Sequence, residues 1–113
     1  MEFAPTLKKA LLPALLALST STDAFNAFLF SRLIGYTIVA SKTVASYIDP
    51  DGRTGTDFQG CNYGRKIVFD DNTALTCSEY NYEYSYQPTA ILLVKGASIK
   101  MIVESTIFEM RLQ

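Results

Sequence analysis

The sequence predicts a mainly β domain, because several short β-rich segments, separated by turn residues, follow one another along the last two thirds of its 113 residues. Apolar or aromatic residues recur at every second position in several segments, and glycine, proline, aspartate or asparagine lies between those segments. Helical spacing is confined to the N-terminal part. Because closing a sheet removes its exposed edges, we expect five to six strands in a small antiparallel barrel or meander of the SH3-like or OB-like kind.

The N-terminus has the organisation of a secretory signal peptide. Lys8 and Lys9 precede nine consecutive apolar residues, 10–18, and a mostly small stretch follows as far as Ala24. A membrane-spanning helix needs about 20 apolar residues, so this segment is too short to span. We expect residues 1–24 to be cleaved on export; an uncleaved membrane anchor and an ordinary packed helix are the alternatives. Export would place the domain in the periplasm or outside the cell.

Two further parts follow the predicted signal peptide. Residues 25–34 form a short helical or extended N-terminal segment, and residues 35–113 form the small β-barrel domain. Its first strand, residues 36–48, is rich in β-branched side chains, and residues at every second position share one face: Tyr36, Ile38, Ala40, Val44 and Ile48. Lys42 and Ser46 interrupt that face, which predicts a bend or bulge. The Asp49-Pro50-Asp51-Gly52 sequence then predicts a turn.

The remaining strands are shorter. Residues 65–70 and 73–77 predict a hairpin around Asp71-Asn72, with Val68 facing Leu75. The apolar run at 90–94 predicts a strand buried on both faces, and Lys95-Gly96-Ala97-Ser98 predicts a turn before a strand at 99–103. A last segment places three apolar residues on one side: Phe108, Met110 and Leu112.

The two cysteines agree with export. Cys61 and Cys77 enclose fifteen residues, 62–76, and allow only one intramolecular pairing. In an oxidising compartment we expect them to form a disulfide, which would stabilise a loop of this length by about 3 kcal/mol. Two buried, reduced thiols are the alternative.

Composition excludes several classes of function. The chain has no histidine, which excludes a serine-hydrolase triad and any histidine-containing zinc site. Ten basic and eleven acidic residues give a net charge of -1, without the positive field that nucleic acid requires. Two cysteines cannot form an all-thiolate metal site. We expect no cofactor, no metal and no nucleic-acid partner.

Four tyrosines, Tyr80, Tyr82, Tyr84 and Tyr86, alternate with polar residues and form the most unusual feature of the sequence. On an extended segment their rings would stand in a row on one face. The rings of such a row commonly cover a barrel core, and that is the favoured interpretation. The alternative is an exposed recognition surface, since tyrosine buries its ring against a ligand while its hydroxyl stays hydrated.

Other candidate sites are weaker. Asp49, Asp51 and Asp57 suggest calcium, but Arg53 and Gly60 occupy positions where an EF-hand loop needs oxygen ligands, so a solvated turn is favoured. No spacing compels a pair for acid–base catalysis among the glutamates Glu79, Glu83, Glu104 and Glu109. Residues 52–55 also lack the length and the Lys-Ser/Thr ending of a phosphate-binding loop.

The sequence therefore predicts an exported, non-catalytic binding or accessory module of the cell envelope or extracellular space. Its partner would be a protein or an envelope glycan, and its membrane contact would be limited to an uncleaved signal segment. The alternatives are a membrane-anchored envelope protein and a small hydrolase without histidine.

Overall fold

The structure is a computed structural model that describes residues 27–112. Within that range lie one helix and seven strands: α1 (Ala27–Ser31), β1 (Thr37–Ile48), β2 (Thr54–Gly55), β3 (Lys66–Phe69), β4 (Ala74–Cys77), β5 (Thr89–Lys95), β6 (Ser98–Val103) and β7 (Thr106–Arg111). The predicted signal peptide, residues 1–24, lies outside the described residues.

Six of the strands close into an antiparallel barrel. The order around the barrel is β1-β3-β4-β7-β6-β5, and pairing of β5 with β1 closes the circle. The additional strand, β2, pairs only with the end of β1, opposite Tyr47 and Ile48. The prediction of a small, mainly β antiparallel barrel is therefore confirmed.

The barrel consists of two three-stranded meanders, β1-β3-β4 and β5-β6-β7, joined along two seams. The β1–β5 seam is long, whereas the β4–β7 seam has only two residue pairs, Thr76 with Arg111 and Cys77 with Met110. The rest of β7 has no strand from the other meander beside it. Residues 78–86, which contain the four tyrosines, continue from β4 on this side of the barrel.

Apolar side chains from all six barrel strands and from the loop after β2 fill the interior. The loop supplies Phe58, whose ring packs edge-on against Phe108 with centroids 5.4 Å apart. The largest fully buried side chains include Phe58, Phe69, Phe108, Ile67 and Met101. Phe58 closes the interior where the β4–β7 seam is short, so the loop that carries it belongs to the core.

Strand β1 is bent, as its polar interruptions predict. Its register shifts between Ile38 and Ala40 and again between Val44 and Ser46, and it passes from β5 to β3. The predicted single apolar face is wrong, because Ile38 is exposed while Val44 and Tyr47, three residues apart, are both buried. Each irregularity in the register changes the phase of the alternation between the two faces.

The β3–β4 hairpin forms with a register one residue away from the prediction. Val68 pairs with Ala74, and Ile67 pairs with Leu75. The connection is longer than a two-residue turn: the Phe69 amide donates to the Thr73 carbonyl at 2.8 Å, and Asn72 has a positive φ of 69°. Asparagine tolerates this left-handed conformation, which is typical of three-residue hairpin loops. Ile67 and Leu75 therefore both point into the barrel.

The N-terminal segment leads onto the outside of the β5-β6-β7 meander. Its short helix, α1, is followed by a turn whose Arg32 carbonyl accepts a hydrogen bond from Lys100 Nζ at 3.1 Å. Tyr36 then lies against this meander, with its hydroxyl 2.5 Å from Ser98 Oγ and its ring 5.0 Å from the Lys100 ammonium. No helix within residues 27–112 has the length and apolar character needed to cross a membrane.

Candidate binding surface

Residues 78–86, called the strap from here on, run antiparallel to residues 58–61. Phe58 and Ser85 exchange two backbone hydrogen bonds of 2.8 and 2.9 Å, and Cys61 and Asn81 exchange two of 2.7 and 3.0 Å. Two residues lie between Phe58 and Cys61, whereas three lie between Asn81 and Ser85, so the strap has one extra residue and bulges between its two points of attachment. Backbone pairing at both points fixes where the tyrosines lie.

Gly60 lies directly beneath this bulge. Its φ is +80°, and a methyl group on its α-carbon would collide with the carbonyl oxygen of Asn81 and stand 2.6 Å from the backbone nitrogen of Glu83. Only glycine combines this conformation with such a close approach of two backbones. The strap can therefore lie flat against residues 58–61 only because residue 60 has no side chain.

A disulfide fixes the beginning of the strap. Cys61 and Cys77 are joined, with their α-carbons 5.5 Å apart, and both are fully buried. The predicted pairing is thus confirmed, and the chain turns at Gly64, where φ is +80°, to bring the cysteines together. A disulfide is consistent with an extracellular or periplasmic location.

The odd-numbered side chains of the strap hold it to the β6–β7 hairpin. Glu79 Oε2 accepts a hydrogen bond from the backbone amide of Glu109 at 3.0 Å. Glu83 Oε1 accepts one from Thr106 Oγ1 at 2.7 Å, and Ser85 Oγ donates one to Glu104 Oε2 at 3.2 Å. Side chains thus attach the strap beside the part of β7 that lacks a second strand.

The even-numbered side chains point away from the barrel. Tyr80, Tyr82, Tyr84 and Tyr86, called the tyrosine row from here on, are 65%, 61%, 55% and 66% exposed. The favoured interpretation, in which these rings cover the core, is wrong, because Phe58 and Cys61 occupy the interior beneath the strap. Residues two apart in an extended chain lie about 7 Å apart, so the row extends over about 20 Å.

The backbone of the strap is only partly paired. Within the described part of the chain, the backbone N–H and C=O groups of Tyr82 and Tyr84 make no hydrogen bond. Both residues are more than half exposed. The middle of the tyrosine row therefore offers aromatic rings and free backbone donors and acceptors in one place.

The three loop aspartates do not form a calcium site. The Asp49 carboxylate binds Arg65 at 2.6 and 3.2 Å, Asp51 pairs with Arg53 at 3.0 Å, and Asp57 accepts a hydrogen bond from the Gln59 amide. Hydrogen bonds from the backbone and guanidinium of Arg53 lower the pKa of Asp51. No group of three or more potential metal-binding side chains occurs among residues 27–112.

Sequence reasoning missed the Asp49–Arg65 pair, which is buried rather than solvated. Both side chains are only 10% exposed, and the guanidinium lies 4.5 Å from the centre of the Tyr47 ring. Arg65 also donates to the Gly60 carbonyl at 3.3 Å, so it supports the loop under the strap. No local motif indicates such a pair, because its members are sixteen positions apart in the sequence.

The described surface also has a pocket of about 300 Å³ beside this pair. It is open, and its lining is formed by Ile48, Asp49, Pro50, Gly52, Gly64 and Lys66. The Asp49 carboxylate is already bound to Arg65, which leaves Lys66 as the pocket's available charged group. One ammonium without a converging acid or base forms no catalytic arrangement.

Comparison of the chain with models of protein families, with curated proteins and with solved structures gives no match.

Proposed function

We propose that this protein is an exported, non-catalytic binding module that takes its ligand on the tyrosine row. The observation that carries the proposal is the exposure of four aromatic rings, each more than half accessible, on one face of a strap held in place at its other face. Scattered exposed apolar residues are ordinary, but a contiguous aromatic row marks an interaction surface.

The strap is a suitable platform because it is pre-organised. Backbone pairing with residues 58–61, the disulfide at its start and side-chain bonds to the β6–β7 hairpin hold it, and none of these contacts uses a tyrosine ring of the row. A ligand that docks on fixed rings does not have to order a mobile segment, which lowers the entropic cost of binding. The proposed function allows two classes of ligand, a protein or an envelope glycan.

Export is the second part of the proposal. The buried disulfide supports it, because structural disulfides persist in oxidising compartments. The signal-like residues 1–24 supply the route, with cleavage after Ala24 and a periplasmic or secreted product. That the barrel is of the SH3-like or OB-like kind also stays a prediction.

A membrane-anchored envelope protein is the second candidate, and one observation favours it. The described N-terminal residues expose five large apolar side chains: Phe28, Phe30, Ile34, Ile38 and Val39. An uncleaved residue 1–24 segment would bring these side chains towards a bilayer. Extraction of host membranes with alkaline carbonate separates the candidates, since an anchored protein stays in the pellet and a cleaved one is released.

Co-sedimentation with the envelope fraction of the host tests the proposed function, because that fraction holds both proteins and glycans. We expect the wild-type protein to co-sediment and the Tyr82→Ser/Tyr84→Ser variant to remain in the supernatant. Tyr63→Ser is the matched control, since Tyr63 is 68% exposed but lies outside the row. Equal co-sedimentation of all three proteins would overturn the proposed function.

A further inference from the structure

Four carboxylates on the strap and on the segments that hold it have no cationic partner. Glu79 and Glu83 belong to the strap, Glu104 is bonded to it through Ser85, and Asp57 precedes Phe58 in the segment that pairs with it. Each accepts a hydrogen bond from a neutral group only: a backbone amide, a threonine hydroxyl, a serine hydroxyl and a glutamine amide, respectively. All four negative charges therefore remain uncompensated within the described structure.

The other described carboxylates differ sharply from these four. Asp49, Asp51, Asp71 and Glu109 each form an ion pair with lysine or arginine. Asp70, in the β3–β4 loop, is the one remaining described acid, and it lies away from the strap. Although the whole chain has a net charge of only -1, four of the five described carboxylates without an ion pair belong to the strap and its supports.

The segments that form the strap and its loop supports contain no basic residue. Neither lysine nor arginine occurs in residues 54–63, in 104–106 or in 78–88, which are the strap and the two residues after it. Arg111 reaches the start of the strap, where Nη1 donates to the Cys77 carbonyl at 3.2 Å. It forms no ion pair with a described carboxylate, and it lies at one end of the row rather than along it.

From these observations we propose that the row binds an extended polypeptide segment that carries arginine or lysine at alternate positions. This proposal rests on the proposed function and specifies its ligand. The faces of tyrosine rings attract cations, and the unpaired carboxylates of the strap and its supports add a negative field that favours a cationic ligand. Alternate side chains of an extended peptide are also about 7 Å apart, which matches the spacing of the rings.

The free backbone groups at the middle of the row favour a peptide over a glycan. Tyr82 and Tyr84 offer N–H and C=O groups in an extended segment, and an added strand satisfies such groups by main-chain hydrogen bonding. A neutral glycan would use the rings but would gain nothing from four uncompensated carboxylates. Charge and backbone both therefore point to a basic peptide.

Fluorescence anisotropy of labelled probes tests this ligand class on the purified protein. The probes are a peptide in which arginine alternates with serine, a matched peptide with glutamate in place of arginine, and a neutral chito-oligosaccharide. We expect saturable binding of the arginine peptide alone. Binding should weaken as salt rises from 0.1 to 1 M, where the screening length falls from about 10 Å to about 3 Å.

Variants then assign the binding to the row. Tyr82→Ser/Tyr84→Ser should raise the Kd of the arginine peptide about tenfold, and Tyr63→Ser should leave it unchanged. Glu104→Gln keeps an acceptor for Ser85 but removes a charge, and should raise the Kd about threefold. Urea unfolding of each variant checks that the barrel is intact.

The outcomes separate this proposal from the one on which it rests. Preferential binding of the chito-oligosaccharide, or equal binding of both peptides, would overturn the basic-peptide assignment while leaving the row as a binding surface. If none of the three probes binds but co-sedimentation still depends on Tyr82 and Tyr84, the basic-peptide assignment is overturned and the proposed function stands. Equal co-sedimentation of the wild-type protein and the Tyr82→Ser/Tyr84→Ser variant would overturn both proposals.

Discussion

Two neighbouring regions of this molecule differ in whether their charged side chains form ion pairs. In the Asp49–Arg65 pair, a bidentate ion pair lies in the interior against the Tyr47 ring, with both side chains nearly inaccessible. On the strap and the segments that hold it, four carboxylates accept hydrogen bonds from neutral donors only, and the strap exposes four tyrosines. The two regions are connected, because Arg65 also donates to the carbonyl of Gly60, beneath the strap.

The difference separates residues that build the fold from residues that remain available to a ligand. A buried pair whose charges and hydrogen bonds are satisfied internally has nothing left to offer a ligand, and removing one member leaves the other stranded. Exposed rings contribute little to folding, and carboxylates that are hydrogen-bonded only to neutral donors keep a negative charge that a ligand can use. Substitutions in the two regions should therefore affect different measurements.

The largest effect on stability is expected from Arg65→Ala. It leaves the Asp49 carboxylate buried without its partner, and breaking a buried pair in this way costs about 3–5 kcal/mol. The free energy of unfolding in urea measures the loss. The control is Arg53→Ala, which removes an ion pair at an exposed turn and should change stability little. Equal losses for the two variants would contradict the comparison between buried and exposed pairs.

Removing the disulfide should have the next largest effect. The Cys61→Ser/Cys77→Ser protein loses a cross-link that closes a fifteen-residue loop, which corresponds to about 3 kcal/mol. Because the backbone of Cys61 is hydrogen-bonded to that of Asn81, the strap should loosen first. Hydrogen exchange at the Asn81 amide should therefore become faster. An unchanged exchange rate at Asn81 would show that the strap does not depend on the disulfide.

Gly60→Ala should displace the strap at a cost of about 3 kcal/mol, because the added methyl combines backbone strain with a collision. Gly52→Ala is the matched control: it has a similar φ of +92° but no atom within 4 Å of the new methyl group. The control should lose only about 1 kcal/mol, from the strain alone. Thermal or urea unfolding measures the free energy of unfolding of both variants. Similar losses in the two variants would contradict the close approach of the strap to Gly60.

The smallest expected effect concerns an exposed pair and depends on pH. Lys42 Nζ lies 2.8 Å from Asp71 Oδ2, and this ammonium, with Thr73, holds the pKa of Asp71 well below its usual range. A lowered folded-state pKa stabilises the protein above the unfolded value of about 3.9 and loses that contribution as the pH falls further. The Asp71→Asn variant should therefore be slightly less stable at neutral pH, and the difference should narrow below about pH 4.

Thermal unfolding between pH 2 and 7 measures this difference. Asp70→Asn, at the adjacent exposed aspartate, is the control and should follow the wild-type curve. A deficit in the Asp71→Asn protein that stays constant into acid would contradict the assignment.

Much of the fold could be predicted from local patterns. The turn at Asp49–Gly52, the two-residue turn at Gly96-Ala97 and the last two strands follow from glycine, proline and alternating apolar residues. The β3–β4 register could not be predicted, because a two-residue and a three-residue loop fit the Asp70-Asp71-Asn72 sequence equally well.

The candidate site was only partly predictable. The alternation of the four tyrosines is visible in the sequence, but which face they occupy depends on Phe58, a loop residue that fills the interior from a distant position. Likewise, which carboxylates stay uncompensated depends on pairs such as Asp49 with Arg65, which only the folded chain brings together. Periodicity indicates that a face exists, and tertiary packing decides which way it points.

Urea unfolding of the Tyr82→Ser/Tyr84→Ser protein tests most directly whether the tyrosine row is a surface for a ligand rather than part of the fold. We predict a free energy of unfolding within about 1 kcal/mol of the wild-type value, since surface substitutions usually change it by about 0.5 kcal/mol each. A loss of several kcal/mol, comparable to that of Arg65→Ala, would contradict this account. It would mean that the rings stabilise the barrel.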